Sequence, residues 1–222
     1  DVAGSGLAVS EASALTIGET VEIGVDRVAA DATTTVAGPA DAALAELNSA
    51  DGHISLQAGG TLTLAEAVAA TGAATIDLRA GTGASDDLVM QSGVSISSAD
   101  SDIRLEAGGD IALRSVSAGT GKVALIATAG SISDADVSVA VDVTASGLMM
   151  AAGDAIGAGT DATTAIDTDV TTLAVAAGAG GAFVAERDTA SADGLVVDAL
   201  TVSVHRIGAD ANPVERAQED LV

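Results

Sequence analysis

The chain has 222 residues, 32 Asp+Glu against 8 Lys+Arg, and a formal net charge of −24. That charge disfavours a nucleic-acid backbone or an anionic membrane as partner, and the absence of cysteine excludes a disulfide scaffold, Cys-ligated zinc and thiol chemistry. An apolar share of 48% is too high for a disordered acidic tail, yet no stretch reaches the roughly 18–20 uninterrupted apolar residues of a membrane span. The chain opens on Asp1 with neither a basic start nor an apolar signal segment, which reads as a processed chain or one cut from something longer.

The first strongly patterned segment is GLAVSEASALTIGETVEIGVDRVAAD at residues 6–31. After Pro39, ADAALAEL at 40–47 is Ala/Leu-rich and predicts one short helix. From there the apolar period is two. Ile54-Ser55-Leu56, Leu62-Thr63-Leu64, Ile76-Asp77-Leu78, Ile103-Arg104-Leu105, Ile111-Ala112-Leu113 and Val123-Ala124-Leu125 each alternate inward and outward. Such short strands, separated by Gly, Ala, Ser and Asp, predict an all-β chain with many turns.

The strands repeat. LQAGGTLTL at 56–64 returns as LEAGGDIAL at 105–113, with looser copies beginning at Leu78, Leu125 and Leu148. Ile54, Ile76, Ile103 and Val123 start successive copies, at spacings of 22, 27 and 20 residues. The glycine pair marks a bend where side chains would crowd or φ must be positive. A single strand-turn-strand unit cannot bury its apolar face, whereas a stack of them can. The expected fold is therefore a right-handed parallel β-helix, a β-solenoid of eight to ten coils of about 20–27 residues with variable loops. The near-absence of aromatics agrees, because Phe183 is the single aromatic and an immunoglobulin-type sandwich packs a large ring between its sheets.

A longer period is also present. Gly6, Val9 and Glu11 match Gly181, Val184 and Glu186 at an offset of 175; Val21, Val25, Arg27 and Asp31 match Leu200, Val204, Arg206 and Asp210 at 179. Glu46-Leu47 matches Asp220-Leu221 at 174. The sequence thus divides into the end of one unit with a loop insertion (1–51), solenoid coils (52–180) and the start of the next copy (181–222) of a tandem array.

The LxAGGDIxL and LxATAGSIS phrases, with GLAVSEASALTIG and GAFVAERD, resemble the filamentous-haemagglutinin-like and autotransporter-like exoproteins of bacteria. The resemblance covers residues 52–188 and the two flanking VxE phrases. It implies long right-handed parallel β-helices, export to the cell surface or beyond, and structural or adhesive work as a rod, fibre or coat. The implied partners are neighbouring copies of the unit and cell-surface or polysaccharide groups; no catalytic residue is carried over.

The search for chemistry agrees with a non-catalytic module. His53 and His205 are the two histidines, far apart in sequence, and read as surface strand residues. GTGK at 119–122 lacks the phosphate-cradle spacing and reads as a turn. Asp86-Asp87, Asp100/Asp102 and Asp134/Asp136 supply carboxylates for a polysaccharide-active β-helix enzyme, but without the aromatic platforms that sugars favour. Calcium is the one cofactor candidate. Asp100 and Asp102 in SADSDI, and Asp161, Asp167 and Asp169 in TDATTAIDTDV, alternate so that pairs of carboxylates can face one way. The plain reading of the 23 aspartates is that they serve as turn residues.

Overall fold

The computed structural model describes residues 6–21, 27–28, 34–35, 44–136, 138–160, 162–187, 194–207 and 213–218. Among them there is no helix, and parallel strands stack as a β-solenoid of about six turns with three faces. The alternation read from sequence sets what each strand buries. In Ile54–Ala58 and Ile103–Ala107 the inward Ile, Leu and Ala are fully buried, and each strand lies in parallel register on the next copy.

The copy starts are register neighbours. Ile54 pairs with Ile76, Ile76 with Ile103 and Ile103 with Val123, and the column continues through Leu148 and Leu173. A second column on this first face runs Leu56, Leu78, Leu105, Leu125, Met150. The second face stacks Leu62, Leu88, Ile111, Ile132 and Ile156; the third stacks Leu47, Val68, Ile96, Val116 and Val143. Aliphatic columns of this kind fill a narrow interior without aromatics, at the packing density of a protein core.

The glycine pairs are explained by crowding. A Cβ on Gly59 would strike the Ala12 carbonyl, and one on Gly108 the Gly83 carbonyl. Neither has a positive φ, so close approach of neighbouring coils is the reason for glycine here.

Two expectations need correction. The coils number about six instead of eight to ten, because Arg27–Val28 with Thr34–Thr35, and Val202–Ile207 with Pro213–Gln218, pair in separate two-stranded sheets outside the coils. The short helix near 40–47 is not formed where the structure describes it: Glu46–Ala50 is a strand whose Leu47 stacks beside Val68, and residues 40–43 lie outside the described residues. Register on the third face overrides the helix preference of Ala, Leu and Glu. Solenoid strands also extend beyond 52–180, to Leu7–Glu11 and Leu15–Ile17 at one end and Gly181–Ala182 and Val184–Glu186 at the other.

The segment from residue 194 runs lengthwise down the outside of the first face. Val196 and Val197 pair with Thr172 and Leu173; Leu200 sits over Gly147; Lys122 Nζ donates to the Thr201 carbonyl at 3.1 Å. The Ser203 N–H then donates to Asp102 Oδ2 at 2.8 Å, and the His205 N–H to Thr75 Oγ1 at 3.0 Å. Dimensions agree: five coil steps of about 4.8 Å make roughly 24 Å, and eight extended residues at about 3.3 Å make roughly 26 Å. This strap buries Val202 and Val204 against Ala124, Met149 and Ala174, which face outward from the coils, and turns back as the antiparallel hairpin Val202–Ile207 with Pro213–Gln218.

Candidate functional site

Among the described residues, Asp87, Asp100, Asp102 and Asp110 act as corner staples. At the corner before the second face, each coil accepts a backbone N–H from the next. The Asp87 N–H donates to Thr61 Oγ1 (3.3 Å), the Asp110 N–H to Asp87 Oδ1 (2.8 Å), the Ser131 N–H to Asp110 Oδ1 (2.7 Å) and the Ala155 N–H to Ser131 Oγ (3.3 Å). At the corner before the first face, Asp100 Oδ1 accepts the Thr120 N–H and hydroxyl, and Asp102 Oδ1 accepts the Lys122 N–H. An Asp side chain one coil away thus satisfies a corner N–H that the sheet ladders do not reach.

The calcium candidates named from sequence sit in separate places. At the corner before the first face, Asp100 Oδ1 and both Asp102 oxygens accept hydrogen bonds from neighbouring segments. Asp167 is fully buried on the third face, where its Oδ1 meets Arg187 Nε at 2.6 Å; Asp169 is half-buried two residues on, and Asp161 lies outside the described residues. The structure does not bring the five together.

Three other carboxylates do converge. Asp134, Asp136 and Asp142 each offer an oxygen within 4.8 Å of the others. Asp134 ends the strand Ile132–Asp134 in register with Leu113, in a column that earlier coils fill with Ile17, Leu64 and Met90. A carboxylate in an inward aliphatic column was the available sequence signal. Asp142, missed entirely from sequence, is buried at the next corner, where its Oδ2 accepts the Asp167 N–H at 2.8 Å. Burial pushes the Asp142 carboxyl up to about 7, helped by the negative charges of Asp134, Asp136 and Asp167 and opposed by the Asp167 N–H. Backbone N–H groups of Asp136, Ser138 and Asp167 donate to the three carboxylates in turn, and the carboxylate oxygens are the donor type that a hard divalent cation such as Ca²⁺ takes.

No family model, curated protein or solved structure matches the chain. Function must therefore be read from the geometry.

A second polar cluster lies under the strap. Arg104 Nη1 donates to Asp77 Oδ1 (3.4 Å) and Glu106 Oε2 (2.7 Å), and Arg206 from the strap approaches the same two carboxylates at 3.5 Å each. Burial pushes Asp77 up to about 6, against the pull of Arg104 and Arg79. Nearby, the His53 and His205 rings stack with centroids 3.5 Å apart, and the Thr75 N–H donates to His53 Nδ1 at 3.0 Å. The two histidines read as unrelated surface residues are thus neighbours, joined by a strap 130 residues from the corner it meets. A groove of about 460 Å³ opens beside this cluster, lined by Gln57, Arg79, Gly81, Thr82, Glu106 and Thr128, with no aromatic ring.

GTGK at 119–122 is a turn with Gly119 at φ +56°, followed by the strand Lys122–Ala127. Asp102 joins one corner to the strap, so Asp102→Ala is expected to cost about 2 kcal/mol by orphaning two N–H groups. Asp102→Asn, which keeps an acceptor, should cost less; urea unfolding midpoints measure both.

Proposed function

We propose that this chain is a rod-forming, extracellular structural module that assembles end to end with further copies of its own unit. The observation that carries the reading is that, among the described residues, the first and last coils of the solenoid leave apolar side chains uncovered. At one end Leu7 is exposed and Val9, Leu15, Ile17 and Leu47 are only partly covered; at the other, Phe183 is exposed and Val175 and Val184 are partly covered. Parallel strands at an open end can accept the next coil from a second copy, and a head-to-tail contact between unlike ends extends without closing. Each added coil lengthens the rod by about 4.8 Å, and stability accrues between neighbours. The resemblance of the LxAGGDIxL and LxATAGSIS phrases to those of bacterial exoproteins supports export and a surface or adhesive setting. Net charge of −24 keeps rods apart laterally unless a divalent cation bridges them.

Electron microscopy of the native polypeptide tests the reading: extended rods, and a native chain mass that is a multiple of the unit, are the expected result. Compact particles from a native chain of 21.1 kDa would overturn it, as would activity on acidic polysaccharides abolished by changing Asp134 and Asp136.

A second reading, a calcium-dependent binding module, is favoured by the oxygen cluster at Asp134, Asp136 and Asp142. It expects calcium to raise the melting temperature beyond sodium of equal ionic strength, an effect lost in Asp142→Asn.

A further inference from the structure

We infer that the groove beside the strap is a binding site for a neutral saccharide, held through pairs of adjacent hydroxyls. The groove lies within one copy, so this site goes beyond the rod reading and does not depend on it. Two departures from the plain coil frame it. The first is an insertion. Leu56 and Leu62 stand six residues apart across the corner from the first face to the second, as do Leu105 and Ile111, but Leu78 and Leu88 stand ten apart. The added residues make a loop at 81–86, in which the Gly83 N–H donates to Asp86 Oδ2 at 2.7 Å and the Asp86 N–H to the Gly83 carbonyl at 2.9 Å. Thr82 of this loop lines the groove. The second departure is the strap, whose Arg206 meets the groove residue Glu106 at 3.5 Å. Insertions in repeat folds collect where ligands bind, and here insertion and strap fall on the same coils.

The floor is a column of planar polar groups. Gln57, Arg79 and Glu106 are register partners on successive coils, about 4.8 Å apart. Arg79 and Glu106 carry opposite charges side by side, yet each is engaged elsewhere. Arg79 Nη2 donates to Gln57 Oε1 and Arg79 Nε approaches Asp77 Oδ2 at 3.8 Å, whereas Glu106 Oε2 takes Arg104 and Arg206. The polar atoms left on the floor are the Gln57 amide nitrogen, Arg79 Nη1 and Glu106 Oε1, two donors beside an acceptor. The side chains of Thr82 and Thr128 line the same space.

This chemistry selects the ligand. A hydroxyl both donates and accepts, and a vicinal pair of hydroxyls matches the two polar atoms at the edge of an amide, a guanidinium or a carboxylate. The charges of Arg79 and Glu106 cancel on the floor, and the net charge of −24 disfavours acidic sugars, so the ligand is uncharged. The groove volume of about 460 Å³ falls within the roughly 300–1,000 Å³ of small-ligand clefts. Beyond Thr128 a shallower depression continues over Ala127, Ala151, Ala152 and Ala176, which gives room for a chain of sugars along the axis. Without an aromatic ring to stack on, a single site binds weakly, on the order of 1 mM.

The test follows backbone amide shifts by nuclear magnetic resonance while the full chain is titrated with maltotriose, cellotriose, xylotriose and mannotriose. At least one of these is expected to give saturable shifts centred on Gln57, Arg79, Thr82, Glu106 and Thr128, with trigalacturonate bound at least fivefold more weakly. Arg79→Ala and Gln57→Ala should each lower the affinity at least fivefold. Gln57→Ala leaves the ion pairs of Asp77 in place and carries the test if Arg79→Ala does not fold. No saturable shift from any of the neutral sugars up to about 10 mM would overturn the site. So would shifts centred elsewhere, trigalacturonate bound as tightly or more tightly, or an affinity untouched by Gln57→Ala. Rods seen by microscopy without sugar binding would sink this site alone, whereas binding without rods would sink the rod reading.

Discussion

Arg104→Ala is expected to cost about 3–5 kcal/mol at pH 7.5, among the largest effects available to a single substitution in this chain. Arg104 is 2% exposed and Asp77 0%. Removing the guanidinium leaves Asp77 with Arg206 at 3.5 Å and Arg79 at 3.8 Å as the remaining cations, and deprives Glu106 of its shortest ion-pair contact. The loss should shrink near pH 5, because a protonated Asp77 needs no counter-ion. Arg104→Met separates the two contributions of the side chain: it restores the packing of the aliphatic stem but not the charge. Chemical denaturation at the two pH values measures all of this, and equal losses at both would refute the charge argument.

Asp142→Asn should do the reverse and stabilise the protein at pH 7.5, by on the order of 2–4 kcal/mol. The native Asp142 carboxyl sits near 7 and that of Asp77 near 6, whereas an unfolded Asp titrates near 3.9. Between those values the native state binds more protons than the unfolded one, so stability rises as pH falls from about 7 toward about 4. The amide keeps an acceptor for the Asp167 N–H and removes the repulsion with Asp134, Asp136 and Asp167. The variant's melting temperature should therefore vary less with pH, with little gain at pH 5. A loss of stability at pH 7.5 would show that the native chain relies on a charged Asp142.

Sequence made the coil path legible because its determinants are local and repeated. Ile54, Ile76, Ile103 and Val123 could be aligned by alternation alone, and they are register neighbours. The same alternation correctly set Arg104 and Asp77 outward, but outward read as solvent. What covers that side comes from a strap a hundred or more residues away, whose own residues do not say which face it meets. Aspartates were harder for a different reason. A corner Asp that accepts an N–H and one that joins Asp134 and Asp136 look alike in a loop; only the coil stacking decides which carboxylates meet. Asp134 was the exception, since it stands where other coils place an aliphatic side chain.

The strap also has a mechanical consequence. Under tension along its axis, a bare solenoid would surrender its end coil first, then each coil singly. Coils of 20–27 residues, the spacings from Ile54 to Leu173, would each release roughly 70–90 Å of contour. A strand tied to Thr172, Lys122, Asp102 and Thr75 in turn loads several coils in shear at once, so none can unspool until it lets go. Pulling should therefore meet one high initial barrier followed by a train of smaller ones, so that the solenoid is stiff at low force and extensible beyond it.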